Sequence, residues 1–132
     1  MRIKRLIAGL GVGIAALSVA MIPVTTANAA TGKNGVVETG EFGLYYLQNS
    51  GLPVFDLFLS DSNFANDVFP GTGIPADNNT ESYWNRDSFW WHVFTGANYT
   101  GSHGCLPPGW VGNASVTFKN TISSAYYSSS SC

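Results

Sequence analysis

WWHVFTGANYTGSHGCLPPGWVGNASVTFKNTISS, residues 90–124, is the stretch that decides the fold. Its first run (Trp90, Trp91, Val93, Phe94) is apolar and aromatic and reaches a turn-rich segment, Thr95 to Gly101. A second short run, His103 to Leu106, stops at Pro107-Pro108-Gly109. Ser115-Val116-Thr117-Phe118 alternates as a strand does, and Asn120 to Ser124 closes the unit. Four short β segments punctuated by Gly, Pro and Asn predict a compact Greek key rather than a helix.

The region upstream reads the same way. Glu41 to Leu47 predicts a strand, Gln48 to Gly51 a turn, and Pro53 to Leu59 a second strand. In that second strand the odd-numbered residues Phe55, Leu57 and Leu59 form the expected core face. Phe64 to Phe69 is expected to hold a short third strand, Pro70 to Asp77 a surface loop, and Asn78 to Trp84 the approach to a fourth strand. Asn85-Arg86-Asp87 bridges to the opening unit. No stretch sustains a 3.6-residue apolar period long enough for a substantial helix.

The extreme N-terminus is of another kind. Three basic residues within Met1 to Arg5 precede an apolar run from Leu6 to about Val24, and then Ala27-Asn28-Ala29. That order is an export signal spanning residues 1–29, with cleavage expected between Ala29 and Ala30. The remainder is expected to be secreted, with a loosely held lead over 30–40 and one domain over 41–132. Of the six basic residues only Lys33, Arg86 and Lys119 stay, against all eight acids, which leaves a net charge of −5. Nucleic acid and anionic membrane are poor partners for such a surface, because both need basic groups to displace counterions. An even pair of cysteines in an exported chain, Cys105 and Cys132, is expected to form a disulfide, with pairing between chains as the alternative.

The two halves are similar to each other. Leu44 to Leu52 aligns with Val93 to Gly101 at an offset of 49, sharing Asn49 with Asn98. Asn78 to Ser82 aligns with Lys119 to Ser123 at an offset of 41. Two repeats, each too small to bury its own face, would pack sheet against sheet around one core.

An aromatic, six residues and then Gly (Phe94 to Gly101), followed by N-x-x-S-S (Asn120 to Ser124), resembles the βγ-crystallin Greek-key signature. Gly permits a backbone conformation that a Cβ would forbid in the folded hairpin, the aromatic packs on it, and the Ser hydroxyl bonds its backbone. The chain is also similar to secreted peptidase inhibitor family I36, whose domain has this form. The resemblance implies an all-β fold of two Greek keys packed as a small β-sandwich, the first over 41–85 and the second over 89–127, with a Ser-rich tail over 128–132 that holds Cys132. The first copy departs from the pattern: Leu52 stands where Gly is expected, so its hairpin should turn differently or shift register. Gly43 also stands where relatives commonly carry Cys.

The resemblance brings in calcium, which such domains often hold through paired [N/D]-[N/D]-x-x-[S/T]-S motifs. The residues concerned are Asn78, Asn79 and Ser82 in the first copy and Asn120 and Ser123 in the second. Lys119 takes the place of an oxygen ligand, and Tyr83 that of the final Ser. No cofactor is therefore expected beyond a weak calcium site of the extracellular millimolar class. The competing reading has these Asn and Ser residues simply capping tight turns.

Catalysis finds no support. His92 sits in an apolar strand and His103 in a Gly-rich turn, neither with a recognisable nucleophile motif, and two histidines without spaced carboxylates make a poor zinc site. A non-catalytic, monomeric binding protein is expected. For an inhibitor of an extracellular peptidase, the stiff loop Cys105, Leu106, Pro107, Pro108, Gly109, Trp110 is the contact candidate, with Leu106 or Trp110 filling a specificity pocket. The alternatives are a cell-wall or carbohydrate-binding module using Tyr83, Trp84, Phe89, Trp90 and Trp91, or a calcium-stabilised structural domain. N-x-S/T matches at Asn78, Asn98 and Asn113 matter only in a glycosylating host.

Overall fold

The computed structural model describes residues 30–132; the segment read as an export signal lies outside them. Among the described residues seven strands follow one another: β1 (Phe42–Leu47), β2 (Gly51–Leu57), β3 (Ser82–Asn85), β4 (Trp90–Gly96), β5 (Thr100–Leu106), β6 (Val111–Asn113) and β7 (Ser124–Ser128), with a 3-10 turn at Phe64–Asn66. They make two antiparallel sheets, ordered β2-β1-β3-β6 and β5-β4-β7. The core lies between them, with Phe42, Leu44, Phe55 and Leu57 from the first sheet and Trp91, Val93 and Leu106 from the second. Phe64, Phe69 and Ile122 from the connections complete it.

The halves exchange strands. β6 belongs to the second half but pairs with β3 of the first, through Tyr83 opposite Gly112. Reciprocally, Asp61 of the first half bridges to Ala125 on β7, with both backbone bonds at 2.8 and 3.0 Å. The first half's crossing strand is thus reduced to one bridge. Because each sheet borrows an edge from the other half, neither half closes its own core.

The two hairpins are copies, Leu52 notwithstanding. Leu47 faces Gly51 after a bulge in the first, and Gly96 faces Thr100 after a bulge in the second, each 49 residues on. Asn49 and Ser50 have φ of 56° and 59°, Asn98 and Tyr99 of 59° and 61°, the positive pair of a type I′ turn. The shift of register expected for the first hairpin does not occur. Gly101 has φ 85°, and a Cβ there would collide with Thr95 Oγ1 and the Gly96 nitrogen. Leu52 at the matching place is exposed and joined to Pro53 by a cis peptide bond.

Three expected strands read differently. Phe64 to Phe69 forms no strand: Asn63 Oδ1 accepts the Ala65 N–H at 2.9 Å and caps the 3-10 turn, so Phe64 and Phe69 both plug the core from a loop. Ser115 to Phe118 forms no strand either. In a strand Val116 and Phe118 would share a face, but Val116 is 94% exposed while Phe118 packs on the core. A helical turn separates them, with the Lys119 N–H on the Ser115 carbonyl at 2.8 Å. The segment between the prolines and Ala114, rather than Ser115 to Phe118, supplies β6. Finally, β2 ends at Leu57, so Leu59 is exposed and is not part of the expected core face.

The lead is fastened, not loose. Asp56 on the outward face of β2 is fully buried, and its carboxylate accepts the Asn34 and Gly35 N–H groups at 3.0 and 2.6 Å. Val37 then packs with Val54, Tyr45 and Trp84, covering the outside of the first sheet. Lys33 completes the clasp, with Nζ 2.8 Å from Asp61 and 2.9 Å from Asp67. Burial works against the Lys33 ammonium, but the hydrogen bonds and charges of both aspartates outweigh it and raise its pKa above the ordinary 10.5. A group raised in the folded state stabilises fully below its unfolded value and loses that contribution as pH climbs through its folded one. Lys33→Met is therefore expected to cost about 1 kcal/mol at neutral pH, a modest figure because the side chain is half exposed. In denaturant titrations the difference between the two proteins should vanish above the raised Lys33 pKa; a constant gap across that range would show that charge is not its source.

Candidate functional site

Among the described residues, three groups are candidates for a functional site. The first is the pair of Asn/Ser loops. Ser82 and Ser124 are both fully buried and do the same work: Ser82 Oγ donates to the Leu47 carbonyl (2.6 Å) and accepts the Ser50 N–H (3.0 Å). Ser124 Oγ donates to the Gly96 carbonyl (2.7 Å) and accepts the Tyr99 N–H (3.0 Å). Each serine therefore pins the type I′ hairpin of its own half. Asn78 and Asn120 likewise match, both with positive φ, and cross-link the loops: Asn78 N–H to the Ile122 carbonyl, Asn120 N–H to the Thr80 carbonyl.

These pairs set the repeat offset at 42, one residue from the sequence alignment. The equivalent motifs are thus Asp77 to Ser82 and Lys119 to Ser124. Asn78 and Ser123 come together, with Ser123 Oγ donating to Asn78 Oδ1 at 3.1 Å. Asn79 does not join them; its amide turns to the Pro75 carbonyl. Ser82 is spent on the hairpin, and Asn120 lies on the opposite side of the pair. There Lys119 Nζ sits 3.5 Å from Glu81 Oε2. Calcium needs six to eight oxygens. An ammonium already holds the acid on the Lys119 side, so the donors suit a dication only beside Asp77, whose buried Oδ1 has no hydrogen-bond partner.

The second group is the corner between β5 and β6. Leu106 is buried in the core and cannot enter a partner's pocket, whereas Trp110 is 55% exposed. The corner is held from beneath by Asn85, which is fully buried. Its Nδ2 faces the carbonyls of Phe89 (2.9 Å), Leu106 (2.9 Å) and Pro107 (3.1 Å). Its backbone pairs with Trp110 and Gly109, the latter at φ 87°. Asp87 extends the support: its N–H donates to Asn85 Oδ1, and its carboxylate accepts the buried Trp91 indole N–H at 2.9 Å. Asn85 and Asp87 escaped the sequence reading because Asn-Arg-Asp between strands looks like any polar turn.

The same geometry bears on the aromatic residues. Of the four tryptophans, Trp91 is buried, Trp84 and Trp90 are half-buried, and Trp84 carries the Arg86 guanidinium over its ring at 4.8 Å. Only Trp110 stands exposed. Tyr83, Trp84, Phe89 and Trp90 each keep part of their surface, and Trp91 keeps none.

The third group lies on the outer face of the second sheet. His92 on β4 faces Cys105 on β5, and His103 precedes Cys105 by two residues on the same face. Cys105 is disulfide-bonded to Cys132 with the Cα atoms 6.2 Å apart, which ties the tail to β5. His92 Nδ1 lies 2.8 Å from His103 Nε2, and His92 Nε2 lies 3.2 Å from the Ser130 carbonyl. A carbonyl can only accept, so the proton of neutral His92 sits on Nε2, and His103 Nε2–H donates to Nδ1. Burial pushes the His92 pKa down, against the Ser130 carbonyl and together with the His103 charge.

Residues 37–106 match the model of peptidase inhibitor family I36, with Leu106 closing the match at the entry to the corner. No curated protein matches the chain. Among solved structures it is similar to one from work on the evolution of the eye lens βγ-crystallin domain fold, at 14% identity over 76% of this chain and 93% of that one, with a TM-score of 0.58. A βγ-crystallin from Ciona intestinalis is 21% identical over 67% of this chain and all of its own length, with a TM-score of 0.55. A βγ-crystallin domain from Clostridium beijerinckii is 15% identical over 68% and 99%, also at 0.55. At such identities the likeness establishes the fold: an all-β, two-sheet domain of βγ-crystallin type.

Proposed function

Since this chain belongs to peptidase inhibitor family I36, we propose that it is a secreted, non-catalytic inhibitor that meets an extracellular peptidase through the Pro107–Trp110 corner. The observation that carries this reading is the buried Asn85 clamp beneath an exposed Trp110. Docking a loop that is already rigid loses little conformational entropy, and an exposed Trp on such a loop is the kind of side chain on which binding energy concentrates. Pro107, Pro108 and the Asn85 bonds hold the backbone, and the disulfide at Cys105 holds the strand that leads into it. The reading needs no calcium, since the Asn85 amide bonds the Phe89, Leu106 and Pro107 carbonyls and the Trp110 backbone bonds Asn85 and Pro107, all outside the paired loops.

Titration of the purified protein against a panel of metallo- and serine peptidases tests it. Inhibition of at least one at submicromolar concentration is expected, weakened at least 10-fold by Trp110→Ala with the melting temperature unchanged. No inhibition at micromolar concentrations would overturn the reading; full inhibition by Trp110→Ala would move the contact elsewhere.

A further inference from the structure

We propose that His92, His103, Cys105 and Cys132 form a redox-gated zinc site: when the Cys105–Cys132 disulfide is reduced, the four side chains bind one Zn2+. Their ligand atoms all lie within 4.8 Å of one another. Zinc takes thiolate at about 2.3 Å and imidazole nitrogen at about 2.0–2.1 Å in a tetrahedron, so neighbouring ligands end up roughly 3.3–3.8 Å apart. Here Cys105 Sγ is already 3.4 Å from His92 Nδ1 and 3.9 Å from His103 Nε2. The two nitrogens, at 2.8 Å, share a hydrogen bond and need to separate by only about half an ångström once a cation replaces the proton. Two sulfurs and two nitrogens in this arrangement are the donor set that favours zinc over calcium or magnesium.

The surroundings also suit a metal. A ligating histidine is ordinarily held by a hydrogen bond from its other nitrogen to a carbonyl or carboxylate. The Ser130 carbonyl performs that office for His92 and leaves the Nδ1 lone pair facing His103 and Cys105. The rings are packed as well: His92 stacks between His103 and Tyr126, at 5.0 and 4.6 Å, and His103 lies on Phe94 at 4.6 Å and 6°. Backbone register does the rest, since adjacent strands β4 and β5 deliver three of the four ligands to one face.

The gate is the sulfur chemistry. In the disulfide neither sulfur carries the negative charge that a zinc thiolate needs. A phosphine reductant with water opens it: phosphorus supplies two electrons and takes the oxygen of water, the S–S bond breaks, and the two protons go to Cys105 and Cys132 as thiols. Zinc then displaces both thiol protons to solvent, the ring proton of His103 moves from Nε2 to Nδ1 so that Nε2 can bind, and two thiolates balance the metal's charge. The tail would be latched to β5 in either state, covalently when oxidised and through the metal when reduced. This inference is independent of the inhibitory reading.

The test uses the protein reduced with the phosphine, freed of reductant anaerobically, and titrated with Co2+ as a spectroscopic stand-in and then with Zn2+ in competition. We expect one equivalent of Co2+ to bind with the visible bands of a tetrahedral ion and sulfur-to-cobalt charge transfer, and Zn2+ to displace it. The oxidised protein should bind at least 100-fold more weakly, and His103→Ala, at an exposed position, should weaken the reduced form at least 10-fold. Equal binding by both redox forms, or unchanged binding by His103→Ala, overturns the proposal. Should reduction abolish the near-UV circular dichroism, its recovery on adding Zn2+ supports the site, and failure to recover counts against it equally.

Discussion

Trp91→Ala should lower the unfolding free energy by about 3–5 kcal/mol, the range for deleting a fully buried tryptophan. The side chain has no exposed surface and stacks on Phe42 at 4.9 Å and 20°, so one pair of rings joins the central strand of the second sheet to the first sheet. It also meets Tyr127 at 5.6 Å. Removing it leaves a cavity between the sheets and strips Asp87 Oδ2 of its indole donor. Small domains are stable by only about 5–15 kcal/mol, so this is a large share of the total. At about 4–8 °C per kcal/mol for a chain of this size, the melting temperature should drop by more than about 12 °C. Trp91→Phe separates the two contributions, since it keeps much of the stack but loses the N–H; it should cost about 1–3 kcal/mol, from the lost hydrogen bond to the Asp87 carboxylate and the smaller ring. A drop of less than about 3 °C in Trp91→Ala would show that the sheets are held together elsewhere.

Part of the core around Trp91 was legible from alternation: Phe55 and Leu57 are core residues both in the pattern and in the structure, whereas Leu59, expected on the same face, is exposed, and Trp91 and Val93 were read only as an apolar run. The aromatic-to-Gly spacing of Phe94 and Gly101 was equally legible, because only a positive φ at Gly101 allows the hairpin to fold onto Gly96. Val116 and Phe118 show what alternation cannot resolve. A four-residue alternating stretch fits a strand and a capped turn alike, and the strand exchange that seats β6 against β3 is long-range. Asp56 shows a second blind spot. An acid on the outward face of a strand looks solvated, yet the Asn34 and Gly35 amides descend on it from outside the sheet. The paired Asn/Ser loops were found in place but one residue out of register, since identities are few and the hydroxyls of Ser82 and Ser124 declare their equivalence only through the carbonyls they bind. The sulfur and imidazole cluster was invisible as a cluster, because Cys132 reaches it from the tail and His92 from a different strand.

Asn85→Ala should cost about 3 kcal/mol and weaken peptidase inhibition together with stability. The substitution removes one amide group and leaves the Leu106 and Pro107 carbonyls, the Phe89 carbonyl and the Asp87 N–H without their side-chain partner. Each hydrogen bond lost costs about 0.5–1.5 kcal/mol net, with the Pro107 carbonyl still accepting the Trp110 N–H at 3.2 Å, and the sum is tempered where the corner opens enough to admit water. That tempering is what couples stability to function: a corner hydrated in this way is a corner no longer rigid, and Trp110 would have to be ordered at the moment of docking. Trp110→Ala removes contact area without touching the clamp, so it should weaken inhibition at constant melting temperature. Asn85→Ala keeps Trp110 but should lower both, and Asn85→Asp should resemble it, because a carboxylate offers the three carbonyls no donor. If Asn85→Ala melts several degrees lower yet inhibits as well as the parent at a temperature where both are folded, the clamp serves the fold alone, and the rigid-corner account of inhibition fails while the family assignment stands.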